Sequence, residues 1–367
     1  MKLGLGLYRA SLSEDNFKFA RQAGATHLVV HLVDYFRGAN PSLSAGSDLD
    51  AGWGVTANHD RLWSEAELRA IKSSIEAQGL VWEAIENLDP AFWYDVLLDG
   101  PLKKTQLENL KTILRAMGRV GIPILGYNFS IAGVWGWTKG PFGRGGASSV
   151  GFDAQRIDAQ KPIPNGMVWN MTYDTAAPPG CVPPISSEEI WQRLADFLRA
   201  LVPVAEENGV RLAAHPDDPP VEQLRGTARL VNQPWKYQRL LDLVPSPSNG
   251  LEFCLGTLQE MSEGNVYDAL DQYSRQGKIG YIHFRNVHGK VPRYHEVFVD
   301  EGDIDMLRVV EILDRNGYEG AIIPDHTPEM TCAAPWHAGM AFAMGYIRAA
   351  MQAAARGKAA INPESGR

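Results

Sequence analysis

Cysteine is scarce: Cys181, Cys254 and Cys332 are the only three in 367 residues. An odd number of thiols at wide spacing is no disulfide framework, so the expected setting is a reduced, cytoplasmic compartment. Long apolar runs are missing too. Nothing approaches the roughly 18 to 20 residues that span a bilayer, and MKLGLGLYRA at the N-terminus lacks the extended apolar stretch of a secretory signal. No membrane association is expected. Positive charge is in deficit, with 35 Lys and Arg against 43 Asp and Glu and a formal net charge of −8, which disfavours bulk binding of nucleic acid phosphates. What remains, at 45% hydrophobic and 21% charged, is the composition of a globular chain long enough to bury a large core.

One phrase recurs along the chain. A helical pattern closes on glycine and a short aliphatic run follows at once, in RQAGATHLVVHL, EAQGLVWEAIE, GRVGIPILGYNF, EENGVRLAAHP, SRQGKIGYIHF and DRNGYEGAIIPDH. Gly24, Gly79, Gly121, Gly209, Gly277 and Gly317 therefore read as left-handed helix ends feeding strands buried on both faces. An opening strand at residues 3–8 and another at 250–256, after a helix within 228–244, bring the count to eight strand-helix units. That order predicts an α/β fold, a single (β/α)8 TIM barrel over residues 1–367, with the polar tail NPESGR fraying. Residues 130–185, rich in Gly, Pro and Trp, interrupt the pattern between the fourth strand and its helix. Such an insertion is either a lid over a site or a structural or homo-oligomer-forming elaboration. Trp135, Trp137 and Trp169 within it suit stacking on a sugar or packing inside the lid.

In such barrels the chemistry stands at the C-terminal ends of the strands. Here those ends carry Tyr8 and Arg9, His31, Glu86 and Asn87, Tyr127 and Asn128, His215, Cys254, His283 and Arg285, and Asp325 and His326. His215, Cys254, His283 and Asp325 come from four successive strands, about one unit apart, so they converge at one place. Imidazole, thiolate and carboxylate together make a divalent-metal shell, and that donor set leaves the ion open among Zn²⁺, Mn²⁺ and Co²⁺. A buried apolar role for Cys254 is the alternative. Arg285 and Arg9 suit a substrate carboxylate, while His31, Glu86, Asn87, Asn128 and His295 suit substrate hydroxyls. Ordinary ion pairs at a barrel mouth would use the same residue types.

HPDDPP at 215–220, followed by Arg225, Gly226 and Arg229, resembles the hallmark segment of mannonate dehydratases in the metal-dependent xylose-isomerase-like barrel superfamily. Similar blocks are VGIPILGYNF at 120–129, VPVAEENGVRLAAHPDDPP at 202–220, FCLGT at 253–257, YIHFRNV at 281–287, YHEVFVDEGDIDM at 294–306 and PDH at 324–326. The resemblance implies a xylose-isomerase-like barrel with His215, Cys254, His283 and Asp325 as ligands of Mn²⁺, or of Zn²⁺, Co²⁺ or Fe²⁺. It also implies His326 as a catalytic acid/base, and D-mannonate as the sugar acid that loses water to give 2-keto-3-deoxy-D-gluconate. Two departures stand out. Val299 occupies the place of a second family His after His295 and Glu296, and the run after PDH brings Trp336 and His337 where a Tyr is usual, which makes His337 a candidate partner acid/base. They leave two further readings open, a keto-sugar isomerase or epimerase and a non-catalytic sugar-binding barrel. HPDDPP also reads as a rigid turn, since proline fixes φ and Asp caps turns.

Overall fold

The computed structural model describes residues 1–35, 37, 53–59 and 61–361, and eight parallel strands in it close into a barrel. They are β1 (Lys2–Tyr8), β2 (His27–His31), β3 (Val81–Glu86), β4 (Ile124–Tyr127), β5 (Arg211–Ala214), β6 (Asn249–Cys254), β7 (Ile279–His283) and β8 (Ala321–Ile323). Neighbours around the barrel follow chain order, and β8 closes the ring by setting Ala321 beside Lys2 and Ile322 beside Leu3. The helices that follow the strands are α1 (Glu14–Gln22), α2 (Glu65–Glu76), α3 (Lys103–Val120), α4 (Ser187–Glu207), α5 (Lys236–Leu243), α6 (Val266–Arg275), α7 (Met306–Arg315) and α8 (Pro335–Ile361).

The local reasons are those read in the sequence. The six punctuating glycines all take φ between +64° and +100°, a region that costs a side chain strain and glycine nothing. At the start of α4, the Ser186 hydroxyl caps the Glu189 amide and the Glu189 carboxylate returns to the Ser186 amide. Along the strands the side chains alternate. Val29, Ala84, Ile124, Ala213, Tyr281, Ala321 and Ile323 form a compact apolar plug inside the barrel, separate from the larger core between strands and helices.

Residues between β4 and α4 build sheets of their own. Trp137–Gly143 and Ala147–Asp153 pair antiparallel and join Arg293–Val297 and Asn286–Lys290, from the loop after β7, in a four-stranded sheet. Met167–Val168 and Met171–Thr172 form a smaller sheet with Gly54–Val55. Among the described residues no helix is long and apolar enough to cross a membrane. The tail expected to fray, Asn362–Arg367, lies outside the described residues.

Candidate metal centre and active site

The site grows from the strand phase that makes the plug. Two residues beyond Val29, Ala84 and Ala213 stand His31, Glu86 and His215, and two beyond Tyr281 and Ile323 stand His283 and Asp325. On β6 the same phase carries Glu252 and then Cys254. The inward face thus changes from apolar to ionisable as the strands reach their C-terminal ends.

His215, Cys254 and His283 each offer a ligand atom, all within 4.8 Å of one another. The tautomers are set by what the other ring atoms meet. His215 Nδ1 lies 2.6 Å from the carbonyl of Pro216, so it carries the hydrogen and leaves Nε2 free. His283 Nε2 lies 3.2 Å from Glu86 Oε2, and its buried Nδ1 finds no aligned hydrogen bond although Asp325 Oδ2 stands 3.2 Å away. The Thr257 hydroxyl shares its one hydrogen between Cys254 Sγ and Asp218 Oδ2, each 3.1 Å away. Asp325 holds a left-handed backbone, φ +63°, a strained choice for a residue with a side chain and one that tertiary contacts must maintain.

Electrostatics fit a divalent cation. Glu86, Glu252, Glu260, Asp218, Glu296, Asp325 and the Cys254 thiol crowd one volume, while its cationic groups are Arg285 and the imidazoles of His215, His283 and His326. Burial works against the charged Cys254, but Arg285 and His215 outweigh it and hold the thiol well below its usual range. Asp325 is likewise held well below the carboxylate range by His283 and His326 against burial. Burial and then Glu86 push Glu252 up to about 8. An orphaned imidazole nitrogen, a thiolate and a surplus of buried acid suit a metal of mixed N, S and O preference.

HPDDPP is the scaffold of this centre. Asp217 accepts from the amides of Leu230 and Val231 at 2.7 and 2.8 Å and faces Arg229, which also reaches Ser130, the Gly133 carbonyl and the Asp218 carbonyl. The Asp218 carboxylate accepts from Arg285, from the Tyr294 hydroxyl at 2.7 Å and from Thr257 at 3.1 Å. Asp217 and Asp218 thus tie the turn that follows His215 into the surrounding loops through buried hydrogen bonds.

His326 keeps an open face, its side chain 31% exposed. Its Nδ1 lies 3.1 Å from Glu296 Oε1 and its Nε2 lies 3.6 Å from Asp325 Oδ1, with the edge of Trp137 against the ring. Burial lowers the imidazole, but Asp325 and Glu296 outweigh it and raise it to about 9.

Several expected residues stand elsewhere. His337, expected as a partner acid/base, points from the first turn of α8 onto α1, with Nε2 3.0 Å from Asn16 Oδ1 and its ring on Phe19. His295 faces away from the cluster because strand residues alternate. Its neighbours Tyr294 and Glu296 reach Asp218 and His326, while its own ring meets His288 and Phe142. Arg285, expected to grip a substrate carboxylate, is 3% exposed and spends its guanidinium on Glu260, Asp218, Glu296, Asp325 and Thr257. Glu86 is buried against His31 and His283. Asn128 is tied to the Pro216 carbonyl and the Trp169 indole, which places that tryptophan in packing. Asn87 donates to the Tyr35 hydroxyl at 3.0 Å. His31 is 6% exposed, stacked on Tyr8 and bonded to Tyr35. Arg9, on the exposed rim, pairs with Glu67 at 2.6 Å.

Glu252, Glu260, Glu296, Tyr281 and Tyr294 were missed in the sequence reading. For Glu252 a signal existed, since it shares the inward phase of Cys254. For Glu296 the family-like segment at 294–306 marked the neighbourhood, but its approach to His326 depends on a hairpin pairing with Ala147–Asp153, far away in the chain.

A family model described as D-mannonate dehydratase (UxuA) matches residues 51–357. The chain is 28% identical over 277 residues to mannonate dehydratase 2 of Halalkalibacterium halodurans, covering 72% of this chain and 79% of that one. To the mannonate dehydratase of Streptococcus pneumoniae it is 29% identical over 288 residues, covering 74% and 77%. The crystal structure of mannonate dehydratase from Streptococcus suis superposes with a TM-score of 0.77 at 24% identity, covering 98% of this chain and 94% of that one. A D-psicose 3-epimerase from Clostridium cellulolyticum shares the fold at a TM-score of 0.57 and 12% identity, covering 96% and 99%. With the family model spanning most of the barrel, the chain belongs to the D-mannonate dehydratase family.

Proposed function

We propose that this chain dehydrates a sugar acid, with D-mannonate as substrate and 2-keto-3-deoxy-D-gluconate and water as products. The observation that carries the reading is the convergence of His215, Cys254, His283 and Asp325 beside a half-open His326 backed by Glu296. We take the four as ligands of Mn²⁺, which when bound would draw charge from the substrate carboxylate and C2 hydroxyl and so acidify C2. The C2 proton passes to water at the barrel mouth, and its electron pair forms the C2–C3 double bond as the C3 hydroxyl departs.

The chain's own groups supply the rest. Glu296 occupies His326 Nδ1, so Nε2 is the ring atom presented to the reaction. Raised to about 9, His326 is protonated near neutral pH and serves as the acid that hands its Nε2 proton to the departing C3 hydroxyl, which leaves as water. Arg285 positions Asp325, Glu296 and Asp218 and does not touch substrate. Trp137, bonded to Tyr294 and edge-on to His326, covers the acid on the mouth side. Cys254 as a ligand requires a reduced thiol, which supports the reading of a cytoplasmic setting.

The test is to strip the protein with chelator, restore Mn²⁺, and record product masses from D-mannonate, related aldonates and keto sugars. Metal-dependent loss of one water from D-mannonate is the expected result. Mass-neutral conversion of a keto sugar would replace the lyase reading with an isomerase, and absence of turnover would reject both.

A further inference from the structure

We infer that Glu86 decides which face of His283 meets the metal, its carboxylate accepting the Nε2 hydrogen so that the bare Nδ1 turns to the ion. The inference rests on the metal reading above and concerns a positioning residue, since Glu86 is 4% exposed beneath the centre and out of reach of substrate.

Four observations converge. First, His283 Nε2 has carboxylate oxygens on one side, Glu86 Oε2 at 3.2 Å in hydrogen-bonding alignment and Glu252 Oε1 at 3.1 Å. A ring nitrogen aligned on the Glu86 carboxylate carries its hydrogen there, and the other nitrogen keeps its lone pair. Second, that other atom, Nδ1, is buried without an aligned hydrogen bond and stands 3.2 Å from Asp325 Oδ2, a second member of the shell. Third, Glu86 is itself held. His31 Nε2 lies 3.5 Å from the same Oε2, and His31 Nδ1 lies 2.9 Å from the Tyr35 hydroxyl, so a chain from Tyr35 through His31 and Glu86 ends on His283. Fourth, β4 makes room for the neighbouring carboxyl of Glu252 beside His283: a side-chain carbon at Gly126 would collide with Glu252 and Tyr281. Carboxylates that grip the far nitrogen of a metal-bound histidine raise its basicity and fix its orientation, and their loss weakens metal binding.

Calorimetric titration of Mn²⁺ into chelator-stripped wild type, Glu86→Ala and Glu86→Gln tests this. Wild type takes one ion per chain. Glu86→Ala weakens binding roughly ten- to a hundredfold. Glu86→Gln weakens it less, because an amide oxygen still accepts from Nε2, and this variant decides the matter if Glu86→Ala fails to fold. The visible absorption of the Co²⁺-loaded protein shifts in both variants, which loss of packing alone does not produce. Unchanged affinity and spectrum in the variants would overturn the role of Glu86. Two ions per chain in wild type, one of them lost in Glu86→Gln, would overturn it in favour of a separate cation seat formed by Glu86, Glu252 and His283. No ion bound by wild type would instead sink the metal reading itself.

Discussion

At the scale of single residues, the arrangement separates groups that face the reaction from groups that hold them. In the proposed reaction His326 faces the substrate, and Glu296 holds His326 through Nδ1. Replacing Glu296 by Gln keeps the volume and removes the charge, so kcat falls roughly ten- to a hundredfold while KM and metal content stay near wild type. Steady-state kinetics with metal analysis on the same preparation checks this, and a fall in metal content to match the rate would assign Glu296 to the metal shell instead. His337→Ala, by contrast, leaves kcat within about twofold, because the ring sits against Asn16 and Phe19. Its effect is read in the melting temperature, through lost packing of α8 on α1.

At the scale of elements, the strands did most of the positioning. The donors of the proposed shell were legible in the sequence because a period of two, once a strand is recognised, fixes which residues point inward, and the glycine stops located six of the eight barrel strands. Residues outside the barrel strands were not legible in this way. His295 and Glu296 are neighbours, and only the antiparallel pairing of Arg293–Val297 with Ala147–Asp153 decides that Glu296 is the one turned inward. His337 misled because its orientation follows from how α8 docks on α1, a contact between opposite ends of the chain. Arg285 looked like a substrate clamp because the sequence does not reveal that Asp218, Glu260 and Glu296 arrive from three other elements to occupy it. β4 carries its own prediction. Gly126→Ala forces a methyl group toward Glu252 and Tyr281, and overpacking of this kind costs about 1–3 kcal/mol, seen as a lowered denaturation midpoint.

At the scale of the whole molecule, the cluster couples stability to pH and to metal. In the metal-free protein His215 and His326 are raised to about 9 and His283 lies well above 6.5, so the native state keeps protons that unfolded histidines lose near 6.5. Glu252, raised to about 8, retains another, while the depressed Cys254 thiol works in the opposite direction. A native state that binds more protons loses stability as pH rises. The histidine contribution is intact below 6.5 and fades as pH passes about 9. Urea midpoints of chelator-treated protein therefore fall between those two values, and a midpoint that rose would contradict the assignment. Metal binding displaces the protons of His215 and His283, so affinity for Mn²⁺ increases over that window. At a free ion concentration a hundred times Kd, the loaded protein gains about 2.7 kcal/mol.

The central claim is one ion held by four strands, and the most direct measurement is an anomalous difference map from a crystal soaked in Mn²⁺. A single strong peak is predicted, about 2.0–2.4 Å from His215 Nε2, Cys254 Sγ, His283 Nδ1 and the Asp325 carboxylate. A peak seated against Glu86 and Glu252, or one distant from all four donors, would contradict it.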